Sequence, residues 1–147
     1  MKRLVIALAL VLVVIAATAE TYWGTVMTRS YHANRAKDYN ENNFGLGLEV
    51  REGEFRAGLG SFANSYYKTS NILYVSYLPW EIGPVRAGLR AGVVSGYPMY
   101  DGKYGPFYNL LLEYDICKAL SADLLVIAPS KTDTPTGAVA LQLKATY

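Results

Sequence analysis

From Thr21 onward, apolar and mixed positions alternate in short runs separated by turn residues. Val85, Ala87, Leu89, Ala91 and Val93 interleave with Arg86, Gly88, Arg90, Gly92 and Val94. Leu120, Ala122, Leu124 and Val126 interleave with Ser121, Asp123, Leu125 and Ile127. A period of two is the spacing at which one face of a strand repeats. It predicts eight strands, near Thr21–His32, Phe44–Arg51, Glu54–Ala63, Ser70–Pro79, Val85–Ser95, Pro106–Asp115, Leu120–Ala128 and Ala138–Tyr147.

The connections alternate in length. Asn34–Asn43, Asn64–Thr69, Gly96–Gly105 and Pro129–Gly137 are the longer ones, while "EGE", "WEIGP" and Ile116–Ala119 are tight. Long loops on one rim and short turns on the other fit an outer-membrane barrel with both termini in the periplasm. The expected fold is therefore all-β, an eight-stranded antiparallel transmembrane β-barrel of up-and-down topology. Its last strand, "VALQLKATY", puts Val139, Leu141, Leu143, Ala145 and Tyr147 on one face and ends on an aromatic, as barrel-assembly signals do. A soluble barrel is the competing reading, in which Arg86 and Arg90 would point to water. In a membrane, an arginine facing lipid at mid-depth would cost about 2–4 kcal/mol, so the mixed face must be the lumen.

Strand direction then divides that lumen. Gly45, Gly47, Gly60, Phe62, Val94, Phe107, Leu125, Ile127, Ala138 and Ala140 fall in the outer half. Glu49, Arg51, Arg56, Arg86, Glu113, Asp123, Gln142 and Lys144 fall in the inner half, with Arg90 near the middle. Buried charges must pair. Two interiors satisfy this: a plugged barrel with an ion-paired core, or an apolar well above a charged floor. The well suits an acyl chain. A water-filled pore is excluded, because eight strands leave room only for side chains or one small ligand.

The N-terminus changes the picture of where the chain goes. Met1-Lys2-Arg3, the apolar run Leu4–Ala16 and the small residues Ala17-Thr18-Ala19 form a secretory signal peptide, residues 1–19, too short to span a membrane. Removing 19 of 147 residues leaves a 128-residue barrel domain, residues 20–147. Loss of Lys2 and Arg3 reduces 14 basic residues to 12, matching the 12 acidic ones. A chain without basic excess is a poor partner for nucleic acid. Cys117 is the only cysteine, so no intrachain disulfide braces the fold, and no zinc-ligand spacing is present.

Candidate chemistry sits on the long-loop rim. His32, the only histidine, ends the first strand, and Asn64 and Ser65 end the third. An imidazole that accepts a hydroxyl proton turns serine, or a substrate hydroxyl, into a nucleophile. A loop histidine without a role is the plain alternative, and period-two reading leaves the direction of His32 open.

The order of these residues is similar to that in the lipid A palmitoyltransferase (PagP-like) family of outer-membrane barrels. "YHANRAKDYNENNFGLGLE" resembles its histidine, tyrosine-asparagine pair and glycine-rich second strand, and "FANSYYK" resembles its Asp-Ser pair with Asn64 in place of Asp. "RAGLRAGVVSG" and "LLVIAPS" resemble later strands, so the likeness spans nearly the whole mature chain. The resemblance implies a cofactor-free transfer of a palmitoyl-type chain from phospholipid to lipid A in a Gram-negative outer membrane. It implies His32 as base, Ser65 as its partner and Asn64 as an orienting amide that cannot supply charge. Asp38 and Glu41 are loop carboxylates that could replace that charge. The implied acyl pocket comprises Gly45, Gly47, Gly60, Phe62, Ser76, Val94, Leu125 and Ile127, with Ser76 standing where the family has a length-setting glycine. Pro129 matches a family proline that weakens strand pairing. Partners would be phospholipid, lipopolysaccharide and, through Tyr147, the barrel-assembly machinery, with the protein a monomer. A catalytically inactive lipid-binding barrel and a surface protein acting through tyrosine-rich loops such as "GYPMYDGKYGP" remain the alternatives.

Overall fold

The computed structural model describes Ile6, Leu10 and residues 21–128 and 137–146. Apart from Ile6 and Leu10, the segment expected to be a signal peptide lies outside the described residues, as do Pro129 and Tyr147. Eight antiparallel strands close into a barrel in chain order. They are β1 Thr21–His32, β2 Asn42–Glu52, β3 Phe55–Ala63, β4 Thr69–Ile82, β5 Val85–Val94, β6 Gly105–Cys117, β7 Leu120–Ile127 and β8 Ala138–Thr146. β1 pairs with both β2 and β8, so no edge is left open.

The strands meet in tight turns at one end. Glu52 faces Phe55 across Gly53–Glu54, and Ile82 faces Val85 across Gly83–Pro84. Gly53 and Gly83 sit at φ 53° and 59°, a left-handed backbone that a side chain would oppose. The longer connections gather at the other end.

β4 runs past Pro79, where the sequence predicted its end. The ladder to β5 slips one residue between Tyr77 and Trp80. A bulge leaves proline's missing N–H without a lost ladder bond. Next to it, the Leu78 N–H donates to the Glu54 carbonyl at 3.0 Å.

The outer wall is apolar. Leu46, Leu48, Leu89, Leu110, Leu112 and Leu141 are all exposed, Leu46 by 61%. Exposed aromatics flank this band: Tyr31, Phe44 and Tyr108 toward the loop end, Phe55, Tyr77, Trp80 and Tyr114 toward the turn end. Such a wall, with aromatics at both margins, is compatible with a bilayer around it.

The inward face carries the charges. Arg56, Arg90, Lys144, Glu49, Glu113 and Asp123 are buried, three cations against three carboxylates. Lys144 Nζ lies 2.9 Å from Glu49 Oε1 and 2.9 Å from Asp123 Oδ1, and also contacts Glu113. Arg90 spans Glu49 and Asp123 at 3.1 and 2.9 Å, and donates to Gln142 and Ser76. Arg56 pairs with Glu113 at 2.8 Å. The expected ion-paired inner half is thus a single connected layer.

Candidate active site

A bulge in β1 decides where His32 points. Trp23 and Thr25 are buried, so odd positions begin facing inward. The register slips between Met27 and Arg29 against both neighbours, and the Thr28 hydroxyl bonds to the Leu141 carbonyl at 2.9 Å. One extra residue exchanges the two faces of a strand. Beyond it Tyr31 is exposed and His32 is buried, 3% accessible.

Ser65 is delivered by the turn between β3 and β4. The Asn64 side-chain oxygen accepts the N–H groups of Tyr66 and Lys68 at 2.8 and 3.1 Å, which curls the chain around it. The first loop docks on this turn. The Asn40 side chain donates to the Asn64 carbonyl, and the Asn40 N–H donates to the Ser65 carbonyl, both at 3.0 Å. Docking carries Tyr39 onto the His32 ring, stacked at 4.3 Å.

Together these contacts bring Ser65 Oγ to 3.0 Å from His32 Nε2. The other ring nitrogen, Nδ1, is 3.7 Å from Glu41 Oε1, and the His32 backbone N–H donates to that same oxygen at 3.0 Å. Arg35 also reaches Glu41. Accepting the His32 N–H, with Arg35 beside it, holds the Glu41 carboxyl below the usual carboxylate range.

Beneath the pair lies a cavity of about 400 Å³. Met27, Phe62, Val94, Phe107, Leu125 and Ile127 are among its walls, and Tyr74, Arg90 and Gln142 reach its floor. His32, Ser65, Tyr39, Tyr66 and Tyr97 stand at its mouth. The size falls within the roughly 300–1,000 Å³ of small-molecule pockets.

Of the expected acyl-pocket residues, Gly60, Phe62, Val94, Leu125 and Ile127 line this space. Gly45, Gly47 and Ser76 do not. A side chain at Gly45 would run into Phe62, and one at Gly47 into Thr25 and the Leu59 carbonyl, so neighbours already fill that room. Ser76 is buried lower, accepting from Arg90 Nε at 3.0 Å.

Asn64 does not orient His32. Its amide nitrogen donates to Ser70 Oγ and the Gly96 carbonyl at 2.9 and 3.0 Å, and its oxygen serves the turn. The carboxylate beside the imidazole is Glu41, from the first loop. Asp38 instead receives the Tyr67 hydroxyl at 3.4 Å. The sequence held no signal that separated the two acids, because the loop's docking through Asn40 decides which one turns inward.

A closed barrel with a serine-histidine pair over an apolar well is the class that fold and site define. Compared with protein-family models and with curated proteins, the chain matches none.

Proposed function

We propose that this protein is a PagP-like acyltransferase of a Gram-negative outer membrane, exported by its signal peptide. It moves a palmitoyl-type chain from phospholipid to lipid A in the outer leaflet, without a cofactor. The observation that carries the reading is the 3.0 Å contact of Ser65 Oγ with His32 Nε2 at the mouth of an apolar cavity. The charged layer below the cavity sets how deep a chain can enter.

In the first half-reaction the donor's acyl chain fills the well and its ester carbonyl sits at the mouth. Ser65 Oγ bonds to the carbonyl carbon as its proton passes to His32 Nε2. The ester C–O bond breaks, and His32 returns the proton to the departing glycerol oxygen. In the second half-reaction a lipid A hydroxyl gives its proton to Nε2 and attacks the acyl-serine. Ser65 Oγ leaves and regains a proton from His32. Tyr39, stacked on the ring, limits its rotation between the two steps.

The test is mass spectrometry of lipid A from cells with and without the gene. A palmitate-sized gain that disappears with Ser65→Ala supports transfer. No gain from cells whose outer membrane holds the heat-modifiable, folded barrel assigns the protein to lipid binding without chemistry.

A further inference from the structure

We infer that Glu41 is the positioning residue for His32 in this acyl transfer, filling from the first loop the place that the sequence pointed to at Asn64. The inference rests on the transfer reading, but it has a consequence that needs no turnover.

For His32 Nε2 to accept the Ser65 proton, that nitrogen must be bare and Nδ1 must carry the ring's hydrogen. A buried N–H then needs an acceptor. His32 Nδ1 is buried with no hydrogen-bond partner among the described residues. The nearest carboxylate is Glu41 Oε1, 3.7 Å away, beyond a hydrogen bond but within an ion contact. The same oxygen is fixed by the His32 N–H at 3.0 Å, so the carboxylate cannot drift far from the ring. Tyr39 covers one face of the imidazole and Ser65 holds its far edge. Asn64, the other nearby candidate, has its amide committed to Ser70, Gly96 and the turn.

As Ser65 attacks, His32 becomes an imidazolium. A small rotation of the Glu41 carboxylate closes the gap to Nδ1–H, and the new positive charge draws it in. Arg35 shares that oxygen and is mostly exposed, so it yields without an internal rearrangement. Glu41 therefore does two things: it pins the backbone at His32, and it selects the tautomer and steadies the charge.

Two variants separate these roles. Glu41→Gln keeps an oxygen for the His32 N–H and removes the charge. Glu41→Leu removes the acceptor altogether. For Glu41→Gln, with purified barrel, phospholipid donor and lipid A acceptor, kcat should fall at least about tenfold with KM within about twofold. The second readout uses the fact that the chain has one histidine. In histidine-labelled protein folded in detergent, nitrogen NMR should show the Nδ1–H tautomer in the native chain and a mixture in Glu41→Leu. If Glu41→Leu does not fold, Glu41→Gln serves in its place, with a smaller shift in the same direction. An unchanged kcat in Glu41→Gln, or one tautomer throughout, overturns the inference. A native protein that transfers nothing defeats the proposed function alone, since the tautomer still decides the role of Glu41.

Discussion

The two halves of the barrel interior are built on opposite terms. In the turn-end half a connected layer of buried ion pairs fills the interior, with Trp23 and Leu78 packed beside it. In the loop-end half the space is hollow and its walls are largely apolar, with polar groups at the mouth and around the floor. The closed layer holds the strands together where no cavity is needed. The hollow half forgoes that packing and gains a site. Stability and chemistry are thus separable along one axis, and substitutions in the two halves should behave differently.

Lys144→Met should have the largest effect. It leaves Glu49, Glu113 and Asp123 around a missing cation, and breaking one partner of a buried ionic group costs about 3–5 kcal/mol. The urea midpoint of the refolded barrel measures this. A loss under about 1 kcal/mol would mean the layer is not what closes the inner half.

Asn64→Asp should come next. A carboxylate cannot donate to Ser70 Oγ or the Gly96 carbonyl, and each buried group left unpaired costs roughly 1–3 kcal/mol. Acid at this position should destabilise the second-loop turn and lower transfer. Higher activity in this variant would return the charge-supplying role to position 64.

Val94→Phe pushes a ring into the hollow half. It should raise stability by about 0.5–2 kcal/mol, as cavity filling does, and shift transfer toward shorter acyl chains. The chain-length profile of the product checks it. Unchanged length with full activity would place the acyl chain elsewhere.

Arg35→Ala should matter least for the fold. The pair with Glu41 is exposed on the arginine side, and such pairs contribute about 0–1 kcal/mol. Because it frees the Glu41 oxygen, transfer should hold steady or rise.

The contrast between the halves was legible in the sequence because a period of two fixes the face of each residue once the strands are known. The ion-paired members of the inner half, and Phe62, Val94, Leu125 and Ile127 in the outer half, follow from that rule. What it could not reach were the breaks in the rule. The bulge at Thr28 turns His32 inward, and no local residue such as glycine or proline marks it. Pro79 did mark a break, but as a bulge within β4 rather than its end. Asn64 read as a site residue because it precedes Ser65, whereas its side chain builds the turn that presents Ser65. Glu41 was one of two loop acids, and only the docking of Asn40 onto that turn distinguishes it. Glycine as a sign of empty space failed at Gly45 and Gly47, where the small residue admits a neighbour's bulk.

The most direct test of the central claim is the transfer rate of His32→Ala against the native barrel, with unfolding followed in the same preparations. A lost general base costs roughly 10²–10⁴-fold in rate. A loss of that order is expected with the urea midpoint nearly unchanged, because His32 sits at the mouth and not in the ion-paired layer. Native-level transfer by His32→Ala would contradict it.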